Sequence, residues 1–172
     1  MTAAPEGRVR GRLAALALGV AALAAAPGAL AGDADAASPA GHVATANEAR
    51  VRTAFAAWAA GTGSVFELLR EDAAWTVAGN SPVSGSYASR EDFLARAVAP
   101  ITARLATPIV PRLRQLVAQG DTVVAVFDGI ATARDGREYR NTYAWHMVFE
   151  DGRIVRVEAF LDTWALQRLM QD

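Results

Sequence analysis

Three short pairs punctuate the second half of the chain, Gly120-Asp121, Asp135-Gly136 and Asp151-Gly152, and they limit its fold more than any other feature. Aspartate-glycine between alternating apolar runs is a strong short-range hairpin signal, because these residues tolerate the positive φ of a tight turn. The runs so divided, 113–119, 122–132, 138–150 and 153–161, read as four consecutive antiparallel strands.

Helices are expected on both sides of this meander. Between about 45 and 60, Val51, Phe55, Trp58 and Ala59 recur at helical spacing, and Gly61-Thr62-Gly63 ends the run. Ser64 followed by Glu67 is a capping box for a short second helix through Leu69. Residues 75–78 alternate as a strand and Gly79-Asn80-Ser81-Pro82 turns the chain. Ser89, with Glu91 and Asp92 in the first turn, opens a third helix carrying Phe93, Leu94, Ala97 and Val98, which Pro100 breaks or kinks. A last amphipathic helix uses Trp164, Leu166, Leu169 and Met170 as its apolar residues. Helices first and a meander last make the class α+β.

The N-terminus reads as an address. Arg8, Arg10 and Arg12 precede an apolar run of about 14 residues, and Ala29-Leu30-Ala31 follows, the order of a secretory signal peptide rather than of a membrane-spanning helix. The expected organisation is a signal peptide over 1–31, a flexible lead over 32–44 containing a solvated His42, and one domain over 45–172. The protein is therefore expected to be exported, periplasmic or secreted, with no stable membrane insertion once the signal is removed.

Composition narrows the chemistry. Of the 172 residues none is cysteine, two are histidine, and every one of the 17 basic residues is arginine. A Schiff-base lysine, a phosphate-loop lysine, a thiolate nucleophile and a cysteine-ligated metal are all excluded. Two histidines cannot form a three-histidine zinc site, and a net charge of −1 gives no electrostatic case for nucleic acid. No cofactor or metal is expected.

Tight two-residue bends at Asp135-Gly136 and Asp151-Gly152 would place Trp145 opposite Glu158, Tyr143 opposite Phe160 and Asn141 opposite Asp162, with Asp128 facing Tyr143. One sheet face would then collect Asp128, Asn141, Tyr143, Trp145, Glu158, Phe160 and Asp162, an aromatic wall with a few polar groups, as a small-molecule pocket requires. The other face, with Phe127, His146, Val157, Ala159 and Leu161, would be plain packing surface. A bulge or a three-residue loop would shift the register by one and scramble the set.

Together the long helix, Asp72-Ala73-Ala74-Trp75-Thr76-Val77-Ala78-Gly79, Gly85-x-Tyr87, Arg90-Glu91-Asp92-Phe93, Tyr139-x-Asn141-x-Tyr143-x-Trp145, Glu150-Asp151-Gly152-Arg153-Ile154-Val155 and Phe160-Leu161-Asp162-Thr163 resemble a SnoaL-like member of the nuclear transport factor 2-like superfamily, near the ketosteroid-isomerase-related proteins. The resemblance spans about 46–170. It implies a cone, a curved antiparallel sheet wrapped around helices, with a pocket at its open end and frequent homodimerisation; it also makes Trp75 and Tyr87 candidates for the pocket mouth. The steroid-isomerase base has no carboxylate counterpart at Val77-Ala78-Gly79, and Val126-Phe127-Asp128 lacks the arginine of an epoxide-hydrolase site.

Three readings follow. The first is an exported domain binding a small apolar or cyclic ligand among Trp75, Tyr143, Trp145 and Phe160. The second is an acid–base isomerase or cyclase using Asp162 or Glu158, with Tyr143 or Asn141 as hydrogen-bond donor; its competing explanation is Asp162 as a helix cap. The third is a dimeric interaction module without turnover.

Overall fold

The computed structural model describes residues 39–171; the expected signal peptide and residues 32–38 of the expected lead lie outside the described residues. Helix α1 (Pro39–Ala59) starts at Pro39 rather than near Thr45, so residues 39–44 are helical and His42 is exposed on that helix. Proline suits a first helical turn, where its missing N–H costs no hydrogen bond. The capping box forms as expected: the Phe66 N–H donates to Ser64 Oγ and the Ser64 N–H to Glu67 Oε1, both at 3.1 Å. It caps a 3₁₀ turn, Val65–Leu68, after which the chain is already extended as β1 (Leu69–Val77), and β2 (Gly85–Tyr87) pairs back on it.

Pro100 does not end its helix. Ser89 caps α2 (Arg90–Phe93), accepting from the Asp92 N–H at 3.1 Å. A π turn over Leu94–Val98 then leads into α3 (Ala99–Ala103). Within that turn the Ala99 N–H donates to the Leu94 carbonyl, five residues back. The wider turn accommodates a ring that would clash in an ideal helix.

Strands β3 (Val110–Gln119), β4 (Thr122–Thr132), β5 (Glu138–Glu150) and β6 (Arg153–Leu161) form the expected meander, and α4 (Thr163–Met170) follows. The six strands make one curved, unclosed sheet in the order β2-β1-β6-β5-β4-β3. The fold is α+β, as the hairpin pattern predicts. One pairing differs from an all-antiparallel sheet: β1 runs parallel to β6, with Trp75 beside Val157 and Val77 beside Ala159. On α4, Leu166 and Leu169 are buried while Trp164 is 68% exposed, so Trp164 is not part of that helix's core face.

The register departs from the expected one in both hairpins, for two separate reasons. At β4–β5, Thr132 pairs with Glu138 and the Ala133 N–H bonds the Arg137 carbonyl at 2.8 Å, leaving three residues in the bend rather than two. At β5–β6 the Asp151-Gly152 bend is tight as expected, with φ of 49° and 74° and Glu150 opposite Arg153. A bulge then intervenes: Phe149 pairs with Ile154, but Val148 pairs with Arg156, and Val155 is the extra residue. Each shift moves one strand by one residue against β5 and so exchanges its faces.

The concave face therefore carries Phe127 from β4, Asn141, Tyr143 and Trp145 from β5, and Val157 and Ala159 from β6. Asp128, Glu158 and Phe160 lie on the convex face, where Phe160 is 47% exposed. Phe127, Val157, Ala159 and Leu161, expected on the packing face, belong with the β5 aromatics instead. The core forms where α1 lays Val51 and Phe55 against the concave face; Phe55 meets Phe127 edge-on at 4.8 Å between ring centroids.

Candidate functional site

The concave face and the helices line a partly open apolar cavity of about 220 Å³. Trp75 from β1, Tyr143 and Trp145 from β5, Trp58 from α1, Phe66 from the 3₁₀ turn and Phe93 from α2 supply its aromatic wall. Aliphatic side chains complete it, including Val98 and Ile101 beside the π turn, Ala159 and Leu161 of β6, and Leu166 of α4.

The rings fix one another. Trp75 stacks on Phe93 with centroids 3.9 Å apart and meets Trp145 edge-on at 5.0 Å. Trp58 stacks on Trp145 at 6.0 Å, and Phe127 on Tyr143 at 4.8 Å. Such contacts contribute roughly 0.5–1.5 kcal/mol each beyond the area they bury, so the wall is a mutually braced surface. Gly129 leaves room for part of it, because a Cβ there would stand 2.9 Å from a Tyr143 ring carbon and from Ile109 Cγ2.

A buried polar chain runs behind the wall. The Asn141 Nδ2 amide donates to the Tyr139 hydroxyl at 3.0 Å and to the Asp162 carbonyl at 2.9 Å, and Asn141 Oδ1 accepts from the Asp162 N–H at 2.9 Å. The Tyr139 and Tyr143 hydroxyls lie 2.9 Å apart. Burial pushes the Tyr143 phenol well above the ordinary tyrosine range, and burial likewise raises Tyr139. Both are neutral hydrogen-bonding groups at physiological pH.

The candidate site residues divide cleanly. Trp75, Tyr143 and Trp145 line the cavity. Tyr87 is buried behind Phe93, its hydroxyl donating to the Val83 carbonyl at 2.6 Å, and forms core rather than mouth. Asn141 is a clamp on Asp162 and a support for Tyr139, not a wall residue. Asp162 caps α4, its Oδ1 accepting from the Trp164 and Ala165 N–H groups at 2.9 and 3.0 Å. Asp128 accepts from Thr142 Oγ1 at 2.9 Å and has Arg114 at 3.5 Å, both outside the cavity. Glu158 and Phe160 stand on the convex face because of the Val155 bulge. The carboxylate needed for acid–base chemistry in the pocket is thus supplied by none of Asp128, Glu158 and Asp162.

Trp58, Phe66 and Phe93 are wall residues that periodicity reads as helix core. The signal for them is indirect: three aromatic residues on the apolar faces of consecutive helices, all packed against a sheet with its own indoles. Among the described residues no group of three His, Asp or Glu side chains could hold a metal ion. Among them also, no helix is long and apolar enough to cross a membrane.

Comparison with known proteins agrees with this architecture. A family model described as a SnoaL-like domain matches residues 51–157. No curated protein matches the chain. Similar solved structures include Bal32a from a soil-derived mobile gene cassette, 22% identical with a TM-score of 0.63, over 74% of this chain and 98% of that one. A nuclear transport factor 2-like protein of unknown function from Burkholderia pseudomallei is 21% identical with a TM-score of 0.63, again over 74% and 98%. A candidate SnoaL-like polyketide cyclase from Jannaschia is 17% identical with a TM-score of 0.61, over 77% and 94%. At these identities the structures share the fold. The family match runs from within α1 to within β6 and includes most of the residues that line the cavity: the protein belongs to the SnoaL-like domain family.

Proposed function

We propose that this SnoaL-like domain binds a small, uncharged, cyclic ligand in the cavity between its helices and the concave sheet face. The observation that carries the reading is the wall itself: about 220 Å³ lined by braced aromatic and aliphatic side chains and by Thr102, with no charged residue among them. A dry apolar cavity of about 150 Å³ accepts a benzene ring, so this one suits a fused bicycle. A charged ligand would lose its hydration there without a counter-charge.

Tyr143 supplies a polar contact in this reading. Its hydroxyl lies 2.9 Å from that of Tyr139, which also accepts from the Asn141 amide, and the hydroxyl pair is the polar group nearest the wall that a ligand could meet. Turnover is not part of the reading, since the three acids considered for it stand away from the cavity.

Tetralin, a bicyclic hydrocarbon of suitable size, tests the proposal. Ligand at about a hundred times its Kd stabilises a protein by about 2.7 kcal/mol, so the melting temperature is expected to rise by several degrees. Ala159→Leu, which fills the cavity from β6, should abolish the rise. An unchanged melting temperature at saturating tetralin would refute the proposal.

A further inference from the structure

The chain contains three Asp-Gly pairs, 128–129, 135–136 and 151–152, and the fold treats them differently. Such a pair can cyclise on itself, because a glycine without Cβ leaves its nitrogen unhindered for attack on the aspartate carboxyl. The reaction needs a carboxyl free to turn and an amide nitrogen not engaged elsewhere.

Two of the pairs meet neither need. Gly129 lies mid-strand, opposite Pro111 on β3 and Asn141 on β5. Asp128 Oδ1 accepts from Thr142 Oγ1 at 2.9 Å and from Arg114 Nη1 at 3.5 Å. At the β4–β5 bend the Gly136 N–H donates to the Ala133 carbonyl at 2.9 Å. The Asp135 carboxylate there accepts from the Arg137 N–H at 2.9 Å and from the Arg137 guanidinium. Those two contacts hold its pKa below the ordinary carboxylate value, favouring the ionised form, which does not cyclise.

Asp151-Gly152 is the exception. Asp151 is exposed, and among the described residues its carboxyl has no hydrogen bond or ion pair and the Gly152 N–H has no acceptor. The φ values of 49° and 74° are those of a type I′ bend. Turning the one peptide between the two residues gives the type II′ bend, with the strand ends left in place. It brings the aspartate ψ to about −120°, which sets the glycine nitrogen beside the aspartate carboxyl carbon.

We infer that Asp151 is a self-modification site, at which the Gly152 nitrogen attacks Asp151 Cγ. The N–Cγ bond forms, the Cγ–OH bond of the protonated carboxyl breaks, and the amide proton leaves with that hydroxyl as water. Water then opens the five-membered imide at either carbonyl, which regenerates aspartate or leaves an isoaspartyl link. The isoaspartyl product has the original composition, with one more methylene in the main chain at the bend from which β6 starts. Water is the sole co-reactant.

The protein is kept for several weeks at 37 °C in mildly acidic buffer, one portion folded and one unfolded in urea. Each is then digested, and isoaspartate is located by electron-transfer fragmentation in the mass spectrometer. In the folded protein isoaspartate at Asp151 is expected to exceed that at Asp128 or Asp135 at least about tenfold, since those carboxyls must first give up hydrogen bonds. In urea the three pairs are expected to convert at similar rates. Conversion at Asp151 in the folded protein that is absent, or no faster than at the two held pairs, would overturn the inference. An equal preference for Asp151 in urea would also overturn it, because neighbouring sequence rather than the fold would then select the site.

Discussion

Replacing Asn141 with alanine removes the clamp between β5 and the start of α4. The buried Asn141 side chain makes three hydrogen bonds, two to the Asp162 backbone and one to the Tyr139 hydroxyl, at 2.9, 2.9 and 3.0 Å. At about 1 kcal/mol net each, their loss costs about 3 kcal/mol. Asp162 is exposed, so water replaces part of its lost bonding, and the Tyr139 hydroxyl keeps Tyr143 as a partner. The expected destabilisation is therefore about 2 kcal/mol. A folded unit of this size loses roughly 3–5 °C of melting temperature per kcal/mol, which gives a drop of about 6–10 °C in a thermal melt followed by circular dichroism.

Asn141→Asp refines the same experiment through pH. Its carboxylate keeps an acceptor for the Asp162 N–H but sets an anion against the Asp162 carbonyl, a contact that only the protonated acid can turn into a bond. The folded-state pKa is thus raised above the unfolded value, so the native contribution is present at low pH and lost as pH rises. This variant should fall further below wild type at pH 7 than at pH 4. An Asn141→Ala protein melting within about 1 °C of wild type would show that the clamp does not hold α4 and would refute the reasoning.

Two other outcomes are expected. Gly129→Ala sets a methyl group 2.9 Å from the Tyr143 ring and from Ile109, both in the cavity wall, and should cost about 1–3 kcal/mol in urea denaturation while weakening tetralin binding. A variant as stable as wild type would mean that the sheet yields there. All three tyrosines, Tyr87, Tyr139 and Tyr143, have pKa values raised by burial, so the rise in absorbance at 295 nm should come at higher pH in the folded protein than in the unfolded one. Above pH 10 the unfolded state loses these protons before the native one, and stability should fall by up to about 1.4 kcal/mol per pH unit for each tyrosine. A tyrosine titrating reversibly near pH 10 in the folded protein would contradict this.

The fold was legible because its signals are local. The glycine–aspartate bends, the Ser64 and Ser89 caps and the alternating runs each act over a few residues, and the boundaries of β4, β5 and β6 follow from them. The site was legible on one strand. Asn141, Tyr143 and Trp145 share a face whatever their neighbours do, since residues two apart always point the same way along a strand. What β4 and β6 contribute depends on register, and register was decided by one additional bend residue and by the bulge at Val155. Neither has a distinctive sequence mark: Arg134 and Val155 could each continue a strand as readily as interrupt one. The parallel joining of β1 to β6 is likewise a long-range choice, made by packing. Asp162 illustrates the remaining ambiguity, because Asp-Thr ahead of an apolar run serves equally as cap and as acid until the direction of the carboxyl is known.

Val155 has an effect out of proportion to its chemistry. It touches no proposed ligand, yet its insertion turns Glu158 toward water and Ala159 toward the interior. Without that one surplus residue the terminal strand would present an acid and a phenyl ring to the hollow in place of a methyl group and a leucine. In a scaffold of this kind, the gain or loss of a single strand residue, with every side chain kept as it is, would be enough to convert an inert receptacle into one furnished with a proton acceptor.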